Sequence, residues 1–179
     1  ARSVKRIARA TLRAVAALAG LLALGACGPD EVDLTGIYKV EADLQSAPCG
    51  TDQPVTNPPV AVKFVKGEFF GATVYSYSEC DDLAATMCAG MGLLDAGFSE
   101  PIDGGWRGIV TTSGGGGTTC TISYTEQTAT LHGTLLIVEI TNYSDQVDNT
   151  PTLCSPDEAD RRNISMPCAE HHRIEATKQ

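Results

Sequence analysis

Apolar and polar positions alternate along much of the chain, and the alternation predicts strands. From Gly36 to Leu44, Tyr38, Val40, Ala42 and Leu44 share one face, while Lys39, Glu41 and Asp43 share the other. Val60, Val62 and Phe64 repeat the pattern. Lys66-Gly67 then reads as a tight turn into a second strand, Glu68–Ser78, so the two form a hairpin. Trp106–Thr112, Thr118–Glu126 with its continuation through Ala129 and Leu131, Leu135–Asn142 and His171–Thr177 complete the set. SGGGG and His132-Gly133-Thr134 supply the turns. The inward sets expected are Tyr38, Val40 and Ala42; Phe70, Ala72 and Val74; Ile122 and Tyr124; Leu136, Val138 and Ile140.

Two stretches break the two-residue period. Leu83, Met87, Met91 and Leu94 recur at helical spacing, which predicts a helix over Asp81–Leu94 with Asp81 and Asp82 in its first turn. Ser155-Pro156-Asp157-Glu158 has the form of a capping box with proline at the first helical position, and predicts a short helix to about Arg162. Seven or eight hairpin-connected strands, one inserted helix and one short helix before the last strand define a mainly β fold. An antiparallel barrel or a sandwich both satisfy that pattern.

The N-terminal residues follow different rules. Arg2, Lys5, Arg6, Arg9 and Arg13 precede an uncharged run of 13 residues, 14–26, too short as a helix for the roughly 30 Å of bilayer hydrocarbon. A basic head before a short apolar core is the order of an export signal. The run ends Leu24-Gly25-Ala26-Cys27, which resembles the lipobox of bacterial prolipoproteins. The resemblance covers residues 1–28. It implies diacylglyceryl transfer to the Cys27 sulfur, cleavage between Ala26 and Cys27, and acylation of the new terminus. Residue 28 is glycine rather than the aspartate that retains Gram-negative lipoproteins at the inner membrane, so the expected location is the cell envelope, with the outer membrane favoured. The organisation expected is a signal at 1–26, a lipidated tether at 27–35 and a β domain at 36–179.

Charge and cysteine content narrow the function. All 22 acidic residues follow Cys27 but five of the 13 basic ones precede it, leaving eight against 22 and a net charge of −14. That argues against nucleic acid as a partner, since a phosphate backbone needs clustered Lys and Arg. Cys49, Cys80, Cys88, Cys120, Cys154 and Cys168 remain once Cys27 is assigned to lipid. An even count in an exported chain reads as three disulfides. A helix at 81–91 would hold Cys80 and Cys88 about 12 Å apart, beyond disulfide reach, so they are expected not to pair. In a closed meander the first and last strands are neighbours, which favours Cys49–Cys168.

The motifs of catalysis are missing from the mature sequence: there is no H-E-x-x-H, G-x-S-x-G or S-x-x-K, and Gly114–Gly117 lacks the lysine of a phosphate loop. His171 and His172 are adjacent on a strand and point to opposite faces, and His132 sits near a turn. Acidic groups at Glu79, Asp81 and Asp82 and at Asp145–Asp160 do not match a calcium loop. No cofactor, metal or catalytic residue is expected. The expected function is a non-catalytic binding or interaction module, held to the membrane by the Cys27 lipid and meeting an envelope protein or a small apolar ligand. Gly36-Ile37-Tyr38 is similar to the Gly-x-Trp opening of lipocalin-like barrels, with Tyr in place of Trp. That resemblance implies the alternative of a small-ligand carrier; an envelope hydrolase is a remote one.

Overall fold

A computed structural model describes residues 31–90 and 97–179. The signal, Ala26, Cys27 and Gly28 lie outside the described residues, as do Met91 and Leu94. The strands are β1 (Gly36–Ser46), β2 (Gln53–Pro54), β3 (Ala61–Phe69), β4 (Ala72–Cys80), β5 (Cys88–Gly90), β6 (Glu100–Ile102), β7 (Gly105–Gly116), β8 (Thr119–His132), β9 (Leu135–Asp148) and β10 (Cys168–Lys178). One α-helix, α1 (Pro156–Arg162), and a 3-10 turn at Asn163–Ser165 precede β10.

All ten strands belong to one antiparallel sheet in the order β5-β4-β3-β1-β10-β9-β8-β7-β6, with β2 pairing on β1. The fold is mainly β, as expected, and curls into a half-barrel rather than stacking two sheets. Three strands of two or three residues raise the count above the seven or eight expected. First and last long strands lie side by side, Tyr38 opposite Lys178. An isolated bridge between Tyr75 and Phe98, with backbone hydrogen bonds of 2.9 and 3.0 Å, ties β4 to the chain just ahead of β6.

The core fills one end of the concave face. Tyr38, Val62, Phe64, Tyr75, Phe98, Trp106, Leu136, Val138, Ile174 and Ala176 pack together there. Burial at about 25 cal/mol per Å² makes such aromatic and branched side chains the main stabilising term. Residues 31–35, expected as the end of a tether, instead lie across this end. Leu34 is fully buried, its carbonyl accepts the Tyr38 hydroxyl at 2.9 Å, and the Val32 carbonyl accepts the Trp106 indole N–H at 2.6 Å.

The helix expected at 81–94 is not formed in its described part. Residues 81–87 make a loop in which the Asp82 carboxylate accepts the backbone N–H groups of Thr86 and Met87 and the Thr86 hydroxyl. Cys80 and Cys88 face each other across the β4–β5 ladder with Cα atoms 3.9 Å apart, and they are bonded. The expectation that they do not pair fails with the helix. Leu83 and Met87, the start of the supposed apolar stripe, are exposed. Local capping and a covalent staple outweigh an apolar period there.

The other bridges are Cys49–Cys168, the pairing that adjacent terminal strands favoured, and Cys120–Cys154. The β3–β4 turn falls four residues beyond the expected Lys66-Gly67, at Phe70-Gly71, where φ is +49° and +81°. Helix α1 starts where expected, with the Ser155 hydroxyl accepting the Glu158 N–H at 3.2 Å. The other half of the capping box is absent. The Glu158 carboxylate turns to Arg161 at 2.7 Å and Arg162 at 2.8 Å instead.

Candidate functional site

Cross-strand partners in an antiparallel sheet share a face, so the register sorts the concave side into rows. Leu131, Leu136, Ala176 and Val40 form the first, wholly apolar row. Ala129, Val138, Ile174 and Asp43 form the second; Gln127, Ile140, His172 and Gln45 the third; Thr125, Asn142 and Glu170 a fourth that is entirely polar. One face thus passes from packed core to a polar mouth within four rows. That mouth is the candidate site.

A β-bulge aims its key acid. The β1–β10 register shifts between Val40 and Ala42, so Asp43 faces inward where strict alternation places Ala42. The Asp43 carboxylate is 2% exposed and lies 2.5 Å from His172 Nε2. A carboxylate so buried requires a donor, so Nε2 carries a proton toward it. Beside the pair, Gln45 donates to Glu170 at 2.6 Å and Asn142 to Thr125 at 2.8 Å. The Tyr77 hydroxyl donates to Glu79 at 2.8 Å. Burial first, then the neighbouring Glu79 and Asp43 carboxylates, push the Tyr77 phenol well above its ordinary range, so it remains a neutral donor.

Gln127 breaks the pattern of satisfied pairs. It is 1% exposed, yet its side-chain Nε2 has no hydrogen-bond partner among the described residues. An orphaned buried amide costs about 1–3 kcal/mol, so native proteins carry few. Gly108 faces it so closely that a Cβ there would stand 2.7 Å from that nitrogen and 2.4 Å from the Gly97 carbonyl. Only glycine leaves the amide its space.

The inward sets are corrected accordingly. Leu136, Val138, Ile140, Tyr38 and Val40 face the concave side as expected, but on β4 it is Tyr75 and Tyr77 that do so, not Ala72 and Val74, and Phe70 is an exposed turn residue. Ile122 and Tyr124 face the convex side, packed with Val147, Ala159 and Met166. His171 also lies on that side, with Nδ1 3.0 Å from Asp52. Hydrogen bonds from His171 and then Ser46 hold the Asp52 carboxyl below its ordinary range. A shallow depression of about 200 Å³ beside it is lined by Glu126, Thr128, Glu139, Thr141 and His171.

Both His–Asp pairs escaped the sequence reading, because the partners are 119 and 129 residues apart. The available signal was that β10 neighbours β1, which carries Asp43 and leads into the loop with Asp52. Among the described residues each imidazole is hydrogen-bonded to an aspartate, His171 to Asp52 and His172 to Asp43, and neither to a serine, threonine or cysteine. Among those residues no group of three or more His, Cys, Asp or Glu is placed to hold a metal ion, and no helix is long and apolar enough to cross a membrane. The six cysteines expected as disulfides are paired, and His132 is exposed at the β8–β9 turn. Compared with protein-family models, curated proteins and solved structures, the chain matches none.

Proposed function

We propose that this chain is a lipid-anchored envelope protein whose curled sheet binds a small ligand without turning it over, as a lipocalin-like carrier does. The buried, unpartnered Gln127 amide carries the reading, because it offers a donor that a ligand acceptor would satisfy. Ile140, half-buried in the third row, gives the ligand apolar contact, and the Asp43, His172, Gln45 and Glu170 groups orient its polar end. The ligand class is therefore an amphipathic small molecule with a carbonyl, carboxylate or similar acceptor, rather than a purely apolar one.

The test is mass spectrometry of solvent extracts from the full chain purified out of its envelope. A bound small molecule is expected from wild type and should be lost from Gln127→Leu, while that variant stays folded or gains stability. Equal recovery from both would remove Gln127 from the site; a turnover abolished by His172→Gln would replace the carrier with an enzyme. The anchor has its own test. Cys27→Ala should accumulate as an unlipidated precursor in the membrane fraction, and mature-sized protein in that variant would refute the lipid assignment.

A further inference from the structure

The hairpin of β3 and β4 extends past the rest of the sheet. Pairing of β1 with β3 ends at Gly36–Phe64, and the Phe98 bridge meets β4 at Tyr75, so Gly67–Phe69 and Ala72–Val74 pair only with each other. At the tip Phe70 is 97% exposed, and its ring meets that of the half-exposed Phe69 at 4.5 Å. Val65 is exposed behind them. Phe70 occupies a left-handed conformation that favours Gly or Asn, and its side chain gains little from the folded domain. The residue suits neither the turn nor the core.

The N-terminal segment ends beside this hairpin. Glu31 Oε1 lies 3.5 Å from Lys66 Nζ, and the Tyr75 hydroxyl donates to Asp33 at 3.2 Å. Four residues separate position 27 from Glu31, a reach of at most about 14 Å of extended chain. Phe70 is four residues beyond Lys66, about 13 Å along a strand. Glu31, from which the chain toward position 27 leaves the sheet, and the aromatic tip therefore lie at one end of the sheet. The polar rows of the concave face lie toward the other end, where β1 reaches Ser46 and β10 begins at Cys168.

We propose that the Phe69–Phe70 tip inserts into the bilayer that holds the Cys27 lipid, fixing the domain with its polar mouth away from the membrane. The inference rests on the lipid-anchor reading above. Insertion is apolar rather than electrostatic, because the mature chain is strongly acidic and Lys66 is already paired with Glu31. Tethering brings the tip to the surface at high effective concentration, so a contact too weak for a free domain suffices.

The experiment uses the full chain, processed in a bacterial host and reconstituted into phosphatidylcholine vesicles, with Phe70→Trp as probe and Phe69→Trp as a second. Wild type gives the constant signal of the buried Trp106. Peptide mass spectrometry of the same sample reports whether Cys27 carries acyl chains. The probe emission should shift to the blue on vesicles, lose more than half its intensity with bromine-labelled acyl chains, and ignore added salt. Water-like emission from both probes on a lipidated, vesicle-bound protein would overturn the insertion alone. Unmodified Cys27 with unshifted emission would overturn both readings, whereas unmodified Cys27 with quenched probes would sustain insertion and reject only the anchor. A shift produced by other envelope proteins but not by lipid would also overturn it.

Discussion

His172 on β10 and Asp43 on β1 meet across the concave face because one extra residue in β1 turns the acid inward. The two partners are unequal in burial, 19% exposed for the histidine side chain and 2% for the aspartate. That asymmetry fixes an order. Removing the histidine strands an ionised carboxylate in the interior, at about 3–5 kcal/mol. Removing the acid leaves an imidazole that is partly exposed and can turn to water, at about 1.5–3 kcal/mol, the scale of one charged hydrogen bond. Urea titration of His172→Ala and Asp43→Ala should show the histidine variant the less stable, and Asp43→Leu/His172→Leu closer to wild type than either.

The three bridges should rank by the chain they close. Cys49–Cys168 spans 119 residues and Cys80–Cys88 only eight. Loop-closure entropy assigns about 5 kcal/mol to the first and about 2.5 kcal/mol to the second. Paired Cys→Ala variants compared by denaturant midpoint should keep that order, with Cys120–Cys154 between them. A larger loss for Cys80–Cys88 would show that the 81–87 loop and the burial of Cys80, rather than unfolded-chain entropy, set its contribution.

Strand positions were legible where alternation met no interruption. Leu136, Val138 and Ile140 face the core as their period demands, and neighbouring terminal strands were enough to place Cys49 by Cys168. What failed was decided by single residues acting against a period. The bulge after Val40 exchanges Ala42 for Asp43, the Asp82 carboxylate closes a loop where Leu83 and Met87 imitate a helix, and Phe70 takes a turn conformation that Lys66-Gly67 advertises better. The polar mouth depends on register across β8, β9, β10 and β1, which no local pattern encodes. His171 and His172 were correctly assigned to opposite faces, but their acids come from distant β1 and its following loop.

Acid stability should depend on Glu158. Hydrogen bonds from Arg161 and then Arg162 hold its carboxyl at about 2, against an ordinary 4.5. The folded state binds this proton less readily than the unfolded chain. Its contribution is therefore complete above about pH 4.5 and disappears as pH falls toward 2. Thermal melts across that window should lose less in Glu158→Gln than in wild type, because the variant has already lost the charge. The same variant should loosen α1 from Asp145, since Arg162 bridges the two carboxylates.

The tip of the β3–β4 hairpin sets stability against function. Phe70 is held at φ +49° beside Gly71 at +81°, a pair of positive values that the two central residues of a hairpin turn require. Holding an ordinary L-residue there costs about 1–2 kcal/mol, whereas asparagine visits the region readily. With the ring 97% exposed, replacing it removes almost no buried area. Phe70→Asn should therefore stabilise the domain in denaturant by about 1 kcal/mol. If the ring is there to enter the bilayer, the same variant should keep its lipid anchor yet lose the fixed orientation of the domain, seen as faster protease cleavage near residue 31 on vesicles. A destabilised Phe70→Asn would mean that the Phe69–Phe70 ring contact supports the hairpin itself, and the reason for an aromatic residue at that turn would then lie in the fold.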